Sequence, residues 1–160
     1  MARTEDAPPA PRLAERRNEP VAIAAAGFHR ASAERLIAGA ESRLIEAGHE
    51  GQRPVHWVPG AFELPLAAQT LAETGEVAAV IAVGAVIRGQ TAHFDYICQA
   101  TALGLSRVSL DTGVPCAFGV LTCDTVDQAM ARSGGEVGNA GEAAVDAAVS
   151  LINLIGAAEG

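Results

Sequence analysis

Apolar positions follow two patterns along the chain. Short uninterrupted apolar runs predict buried strands, and longer segments with apolar residues three or four positions apart predict helices with one buried face. The predicted strands are residues 21–26, 55–58, 77–83 and 115–121. The predicted helices are residues 32–48, 61–73, 91–109, 125–132 and 140–155. Four strands alternating with helices predict a flavodoxin-like three-layer α/β/α sandwich around a four-stranded parallel sheet.

Residues at the helix ends support these boundaries. Ser32 is a predicted N-cap, Pro65 is tolerated in a first helical turn, and Gly113 ends the third helix. Thr125 and Gln128 have the spacing of a capping box, in which each residue satisfies a free backbone amide. Residues 133–138 interrupt the pattern before the last helix.

The chain divides into an amino-terminal arm, residues 1–20, and one domain, residues 21–160. The arm carries four of the eight prolines and has no hydrophobic period, so we predict that it is flexible and forms no strand. The remaining residues are enough for one closed core, because 49% of the chain is hydrophobic.

Composition limits the classes of function. The sequence has no apolar run long enough to span a bilayer and no signal-peptide pattern, so a soluble cytoplasmic protein is expected. Its three cysteines, Cys98, Cys116 and Cys123, lack metal-ligand spacing. We therefore predict buried thiols in a reducing compartment, with neither disulfides nor a metal site.

The net charge and the absence of lysine exclude further classes of binding partner and reaction. A formal net charge of −8 argues against nucleic-acid and anionic-membrane surfaces, which require a cationic face. The chain also contains no lysine, which excludes an enzyme-lysine Schiff base. An anionic substrate would have to be held by local hydrogen-bond donors.

We predict that residues 84–96 form the centre of the functional site, because they join a buried strand to a helix. Ligands bind open α/β sheets at the carboxyl ends of strands, and the amides that begin a helix attract anions. Gly84 and Gly89 allow the backbone to approach a ligand closely. His93 lies one turn into the predicted helix, where the positive dipole end opposes protonation and favours a neutral imidazole.

Other residues after strands have two interpretations each. His93 is either a proton-transfer group or a solvated surface residue. Glu63 either caps its helix or binds a substrate N–H. Phe28 and Phe62 are either core residues or, in a chain with few aromatics, the walls of a stacking site for a flat ring. Coincidence is the alternative for the whole set, because strand-to-helix loops are commonly polar.

Two arginines each have two possible roles. Arg88 is either a surface charge or part of the anion site. Arg132 ends a short helix, where a cation complements the carboxyl end of the dipole, but a guanidinium also binds phosphate through two hydrogen bonds. The sequence alone does not decide between these roles.

Three motifs carry a resemblance to a known family: Pro59-Gly60-Ala61-Phe62-Glu63-Leu64-Pro65, Gly84-Ala85-Val86-Ile87-Arg88-Gly89 with His93-Phe94-Asp95-Tyr96, and Phe118-Gly119-Val120-Leu121-Thr122. In this order they resemble the lumazine synthase family of riboflavin biosynthesis, over residues 21–154. The resemblance implies condensation of 5-amino-6-(D-ribitylamino)uracil with 3,4-dihydroxy-2-butanone 4-phosphate to 6,7-dimethyl-8-ribityllumazine. Water and inorganic phosphate are released, and no cofactor or metal is implied.

The resemblance also implies residue roles. Phe28 would stack on the pyrimidine, and Ala61, Phe62 and Glu63 would line the pyrimidine and ribityl pocket. The backbone of Ala85, Val86 and Ile87 would face the pyrimidine. His93 would be the proton donor. The remaining implied contacts are to phosphate from Gln90, Thr91 and Arg132, and to the ring from Phe118.

Family members form pentamers, and some assemble twelve pentamers into an icosahedral shell. The resemblance therefore implies a homopentamer in which a neighbour supplies Phe118 and Arg132, permits a sixty-subunit shell, and suggests riboflavin synthase as a partner. Two positions depart from the family pattern: His29 replaces a usual asparagine, and Ala140 replaces a usual lysine near the phosphate. We expect the second change to weaken binding of the phosphate substrate.

Two alternative functions remain open at this point. One is a catalytically weakened paralogue that serves as a flavin-binding or shell-forming scaffold. The other is an unrelated flavodoxin-like module that binds a phosphorylated nucleotide or flavin mononucleotide, for which the sheet alone would suffice.

Overall fold

A computed structural model describes residues 8–160, and it confirms the three-layer α/β architecture. Its strands are β1 (Val21–Ala26), β2 (Val55–Val58), β3 (Ala79–Ile87), β4 (Cys116–Cys123), β5 (Ser133–Gly135) and β6 (Gly138–Asn139). Its α-helices are α1 (Arg30–Glu46), α2 (Leu64–Glu73), α3 (His93–Thr112), α4 (Val126–Arg132) and α5 (Ala140–Glu159). A single 3-10 turn, Ala61–Glu63, precedes α2.

The main sheet has the strand order β2-β1-β3-β4, and every pair in it is parallel. All of β1 and the first seven residues of β3 are buried, as expected for central strands with helices on both faces. Helices α1 and α5 cover one face, and α2 and α3 cover the other. The chain leaves β1 and β3 in opposite directions, which creates a topological switch point between them.

Helix α5 is long and apolar enough to cross a membrane by length and composition. It nevertheless serves the core, because one side of it is buried against α1 and the sheet. The residues of that side are Ala144, Val145, Ala148, Val149 and Ile152.

Strand β3 is longer than predicted. The sequence places its end at Val83, but the ladder with β4 continues from Gly84 opposite Val120 to Ile87 opposite Cys123. Gly84 is therefore a strand residue rather than part of the turn. A side chain there would meet Ala26 of β1, since an added Cβ would lie 2.7 Å from the Ala26 Cβ. The glycine thus serves close strand packing, and the turn is confined to residues 88–92.

Three helix-end predictions also need correction. Ser32 lies inside α1 and donates to the Met130 sulfur at 3.6 Å, while His29 occupies the N-cap position. His93 is the first residue of α3 and not one turn into it. Thr125 caps α4 by accepting from the Gln128 amide at 3.2 Å, but the Gln128 side chain bonds to the amide of Asp124. That helix therefore has half of the predicted capping box.

The described part of the amino-terminal segment, residues 8–20, has no strand and lies against the body of the protein. Leu13 is 2% exposed, and its amide bonds to the Ala47 carbonyl at 2.8 Å. The Ala14 amide bonds to the Asn153 side chain at 3.0 Å. The flexibility of the arm stays a prediction, and residues 1–7 of it lie outside the described residues.

Cysteine burial agrees with the sequence in part. Cys116 and Cys123 are buried free thiols, whereas Cys98 is only half-buried. Burial raises the pKa of all three thiols, which favours the protonated, unreactive form. Residues 133–139, where the pattern breaks, form the small antiparallel pair β5 and β6.

Candidate active site

A pocket of about 520 Å³ opens at the carboxyl ends of β1, β2 and β3. Three chain segments, one after each of these strands, meet there because the strands are parallel. The predicted site residues that line it are Phe28, Ala61, Phe62, Glu63, Ala85, Val86, Ile87, Thr91 and His93. Nine of the twelve predicted residues are therefore brought together by a single chain.

Two phenylalanines form an aromatic entrance to the pocket. The side chain of Phe28 is 80% exposed and that of Phe62 is 60% exposed, so neither belongs to the core. The Phe28 ring contacts the His29 ring edge-on, with 5.4 Å between centroids. Large apolar rings left in water beside a concave site favour the stacking interpretation over the core one.

The turn Ala61–Glu63 forms one wall, and two hydrogen bonds fix its shape. The Glu63 carboxylate accepts from the Gly60 amide at 3.0 Å, so the capping interpretation of Glu63 is realised while the residue also lines the pocket. The buried Thr101 hydroxyl lies 3.1 Å from the Ala61 carbonyl, linking this turn to α3. This wall is therefore positioned before any ligand arrives.

The start of α3 offers several hydrogen-bond donors. Among the described residues, the amides of Gly89, Gln90, Thr91 and Ala92 bond to no acceptor. The Thr91 hydroxyl accepts from the His93 amide at 3.3 Å, which fixes the turn. Exposed amides and the positive end of a 20-residue helix together form an environment that attracts an anion.

Arg88 is held by neighbouring carboxylates. Its Nε donates to Asp124 at 2.7 Å, its terminal nitrogen lies 3.4 Å from Asp95, and its guanidinium lies 4.3 Å from the centre of the Phe94 ring. The hydrogen bond to Asp124 is the main reason why the pKa of Arg88 is raised. These contacts favour a structural charge over a phosphate ligand.

Three predicted residues do not line the pocket of this chain. Gln90 lies in the turn beside it. Phe118 is 44% exposed on the edge strand β4, and Arg132 lies at the end of α4, where it donates to the Gln128 carbonyl of its own helix at 3.2 Å. In one chain Arg132 thus complements the helix end.

The pocket lining also includes Gly89, at which the sequence predicts a close approach of the backbone to a ligand. It further contains residues to which sequence reasoning assigned no site role: His29, Pro59, Gly60, Phe94 and Ile97. Ile97 follows His93 by one helical turn, so helical spacing could have identified it. Within residues 8–160 no group of three or more His, Cys, Asp or Glu side chains could hold a metal ion.

Comparison with known proteins identifies the family. A sequence model of 6,7-dimethyl-8-ribityllumazine synthase matches residues 19–156. A protein of that name from Coxiella burnetii (strain RSA 493 / Nine Mile phase I) is 48% identical over 136 residues, covering 84% of this chain and 90% of the relative. Another, from Lactiplantibacillus plantarum, is 47% identical over 136 residues and covers 84% of both chains.

A third relative of the same name, from Protochlamydia amoebophila, is 45% identical over 135 residues, which is 84% of this chain and 78% of the relative. The matched region contains the whole sheet and every residue that lines the pocket. The chain therefore belongs to the 6,7-dimethyl-8-ribityllumazine synthase family of transferases in riboflavin biosynthesis.

Proposed function

We propose that this pocket is the site at which the enzyme condenses 5-amino-6-(D-ribitylamino)uracil with 3,4-dihydroxy-2-butanone 4-phosphate, releasing water and phosphate. The observation that carries the proposal is that exposed aromatic rings and an anion-attracting helix start line one pocket. Such a pocket matches one flat ring and one phosphate ester.

The pyrimidine half of the site is assigned to the aromatic wall. Phe28 stacks on the ring, while Ala61, Phe62 and Glu63 line the space for the ring and the ribityl chain. The backbone of Ala85, Val86 and Ile87, at the end of β3, faces the polar edge of the pyrimidine. Support comes from the position of all these residues in the pocket lining.

The phosphate half is assigned to the start of α3. Gln90 and Thr91 bind phosphate with the free amides of the turn, and Arg132 supplies the positive charge. Since Arg132 and Phe118 lie outside the pocket of their own chain, we assign both to the pocket of a neighbouring copy. Guanidinium binding to phosphate is strong because two parallel hydrogen bonds form with an ionised acceptor.

The chemistry requires no enzyme nucleophile. The amine of the uracil attacks the ketone of the second substrate, and loss of water gives an imine between the substrates themselves. Elimination of phosphate leaves an enol that tautomerises to a ketone. The ribitylamino nitrogen attacks this ketone, and loss of a second water closes the ring of the lumazine. Each step moves a proton, and His93 lies where it can give or accept one. We assign most of the rate acceleration to the juxtaposition of two reactive substrates.

Assembly into a homopentamer completes this proposal. Exposed apolar side chains on α3 and β4, which include Tyr96, Leu103, Leu110 and Phe118, offer a contact surface for a second copy. A sixty-subunit shell, riboflavin synthase as its partner, and a cytoplasmic location are further proposals from family membership.

The direct test mixes both substrates with the purified protein and follows lumazine absorbance. Product formation at a rate proportional to enzyme concentration is expected. Binding of flavin without any product would contradict the proposal and favour the weakened paralogue.

Subunit mixing tests the shared site. Arg132→Ala and His93→Ala proteins are each expected to have low activity, but mixed oligomers contain some pockets with both residues intact. Activity above the average of the two variants is expected after mixing and reassembly. Activity equal to that average would contradict the assignment of Arg132 to a neighbouring pocket.

A further inference from the structure

The segment that carries Arg132 is anchored to α1 on both sides of that residue. Arg35 Nε donates to the carbonyl of Ser133 at 2.9 Å, and an Arg35 terminal nitrogen lies 3.9 Å from the sulfur of Met130. The Ser32 hydroxyl also donates to that sulfur, at 3.6 Å. Arg35 therefore contacts the backbone immediately after Arg132 and a side chain two residues before it.

Asn139 fixes α1 against the start of α5. Its side-chain nitrogen donates to the carbonyl of Arg35 at 3.0 Å, and its side-chain oxygen accepts from the Gly141 amide at 2.8 Å. Gly39 allows this close approach, since an added Cβ there would collide with the Asn139 amide. The backbone of Arg35 is thus held in a defined place relative to the body of the protein.

Helix α4 is short and buries little of its own surface. It has seven residues, and Ala129 is its only buried residue. Helices this short are unstable in isolation. The following residues include Gly134 and Gly138, both at a φ of +100°, so the backbone leaves α4 through glycine conformations. The direction of Arg132 therefore depends on tertiary contacts.

The contacts of Arg35 are suited to fixing the end of α4. Within residues 8–160 its guanidinium pairs with no carboxylate, and it donates to a backbone carbonyl and a thioether. Among the described residues, the half-buried Arg35 guanidinium therefore bonds only to residues on either side of Arg132. Its effect is on the geometry of that segment.

We propose that Arg35 is a positioning residue for Arg132: it holds the end of α4 so that the Arg132 guanidinium is directed to the phosphate of the butanone substrate. The inference rests on the proposed function, because it assumes that Arg132 binds this phosphate. It extends that function by making α1 of one protomer a determinant of phosphate affinity at the pocket its Arg132 serves.

The first test compares Arg35→Met with wild-type protein. The variant keeps an apolar side chain but loses the hydrogen bond to Ser133. The KM for the butanone phosphate is expected to rise about threefold to tenfold, the effect of one lost hydrogen bond. The KM for the uracil substrate should stay within error, and Glu34→Gln, which alters an exposed pair on α1, is the control.

A double-mutant cycle separates positioning from general loss of structure. If Arg35 acts through Arg132, adding Arg35→Met to Arg132→Ala produces no further rise in the KM for the butanone phosphate. A second full rise, or an equal rise in the KM for both substrates, would overturn the proposal. Should Arg35→Met fail to fold, Arg35→Lys provides the same comparison with the charge kept.

Inorganic phosphate gives a readout that does not depend on turnover. Its dissociation constant, measured by calorimetry on the assembled protein, is expected to rise in Arg35→Met by the same factor as the KM. Wild-type protein that binds phosphate but makes no lumazine would contradict the proposed function and leave the Arg35 comparison intact. Equal phosphate affinity in wild-type and Arg35→Met proteins would overturn the positioning role.

Discussion

Polar groups at the amino end of the sheet are buried and hydrogen-bonded, whereas the proposed binding groups at its carboxyl end are exposed. Near the amino end, Arg43 is 6% exposed and bonds to Asp146 at 2.6 Å and to the Pro11 carbonyl at 2.9 Å. His49 is 3% exposed and bonds to the Glu19 carbonyl at 2.8 Å. At the carboxyl end, the rings of Phe28 and Phe62 and the amides before α3 face solvent.

This contrast separates stability from binding. Groups that already have partners in the folded chain contribute to the free energy of unfolding, but they have few unused donors, acceptors or charges to bind a ligand. Groups left exposed contribute little to folding and keep their binding capacity. Substitutions at the amino end should therefore alter stability, and those at the carboxyl end should alter turnover.

The largest expected effect is at Arg43. Arg43→Met removes one partner of a mostly buried ion pair, which should lower the free energy of unfolding by about 3 kcal/mol. Urea unfolding at one fixed protomer concentration measures this loss. The control Glu34→Gln, in the Arg30–Glu34 pair exposed by 60% and 58%, should change it by about 0.5 kcal/mol or less. Equal losses in both variants would remove the contrast between buried and exposed pairs.

His93→Ala is expected to lower kcat by about 100-fold, the low end of the contribution of a positioned acid or base. Its melting temperature should equal that of the wild-type protein, because His93 is an exposed residue at the start of α3. Stopped-flow and steady-state absorbance of lumazine measure the rate. Complete loss of activity with the assembly intact would contradict the assignment of most acceleration to substrate juxtaposition.

Ala140→Lys tests the departure from the family pattern. A cation at the start of α5 should lower the KM for the butanone phosphate about threefold, which corresponds to roughly 0.7 kcal/mol and is typical of one exposed charge. Ala140→Met, with a side chain of similar length and no charge, is the control. An unchanged KM in the lysine variant would refute the hypothesis that the alanine weakens phosphate binding.

The smallest expected effect is a pH dependence of stability from His49. Burial is the main cause that lowers the pKa of this imidazole below its ordinary value of 6.5, and the neighbouring Arg53 lowers it further. The unfolded chain therefore takes up this proton first as the pH falls. Stability should decrease below about pH 6.5 until the lowered pKa of the folded state is passed.

Comparison with His49→Gln isolates this contribution, because the variant lacks the titrating ring. The difference in melting temperature between the two proteins should change as the pH falls from 7 to 5. A constant difference between wild-type and His49→Gln proteins across this range would contradict the prediction.

Sequence patterns predicted the fold class and most element boundaries because the central strands are uninterrupted apolar runs. The end of β3 was wrong because Gly84 was interpreted as a turn signal. Its real role depends on Ala26 in the neighbouring strand, and a contact between distant positions leaves no local signal. The N-cap prediction for Ser32 was wrong for the same reason, since its partner is Met130.

The candidate site was predicted in part from the rule that ligands bind at the carboxyl ends of parallel strands. That rule places Phe28, Phe62 and His93 in one pocket, as the structure does. It does not place Phe118 or Arg132, whose proposed partners belong to another copy of the chain. The choice between capping and substrate binding for Glu63, and between a surface charge and an anion ligand for Arg88, depended on atomic distances.

The docking of Leu13 affects how shortened versions of the protein should be designed. A truncation at Val21 would keep every helix and strand, yet it would leave an apolar hollow beside Ala47 and remove the carbonyl partners of Arg43 and His49. Secondary-structure boundaries therefore underestimate the foldable unit, and an affinity tag is better joined before residue 8 than at residue 20.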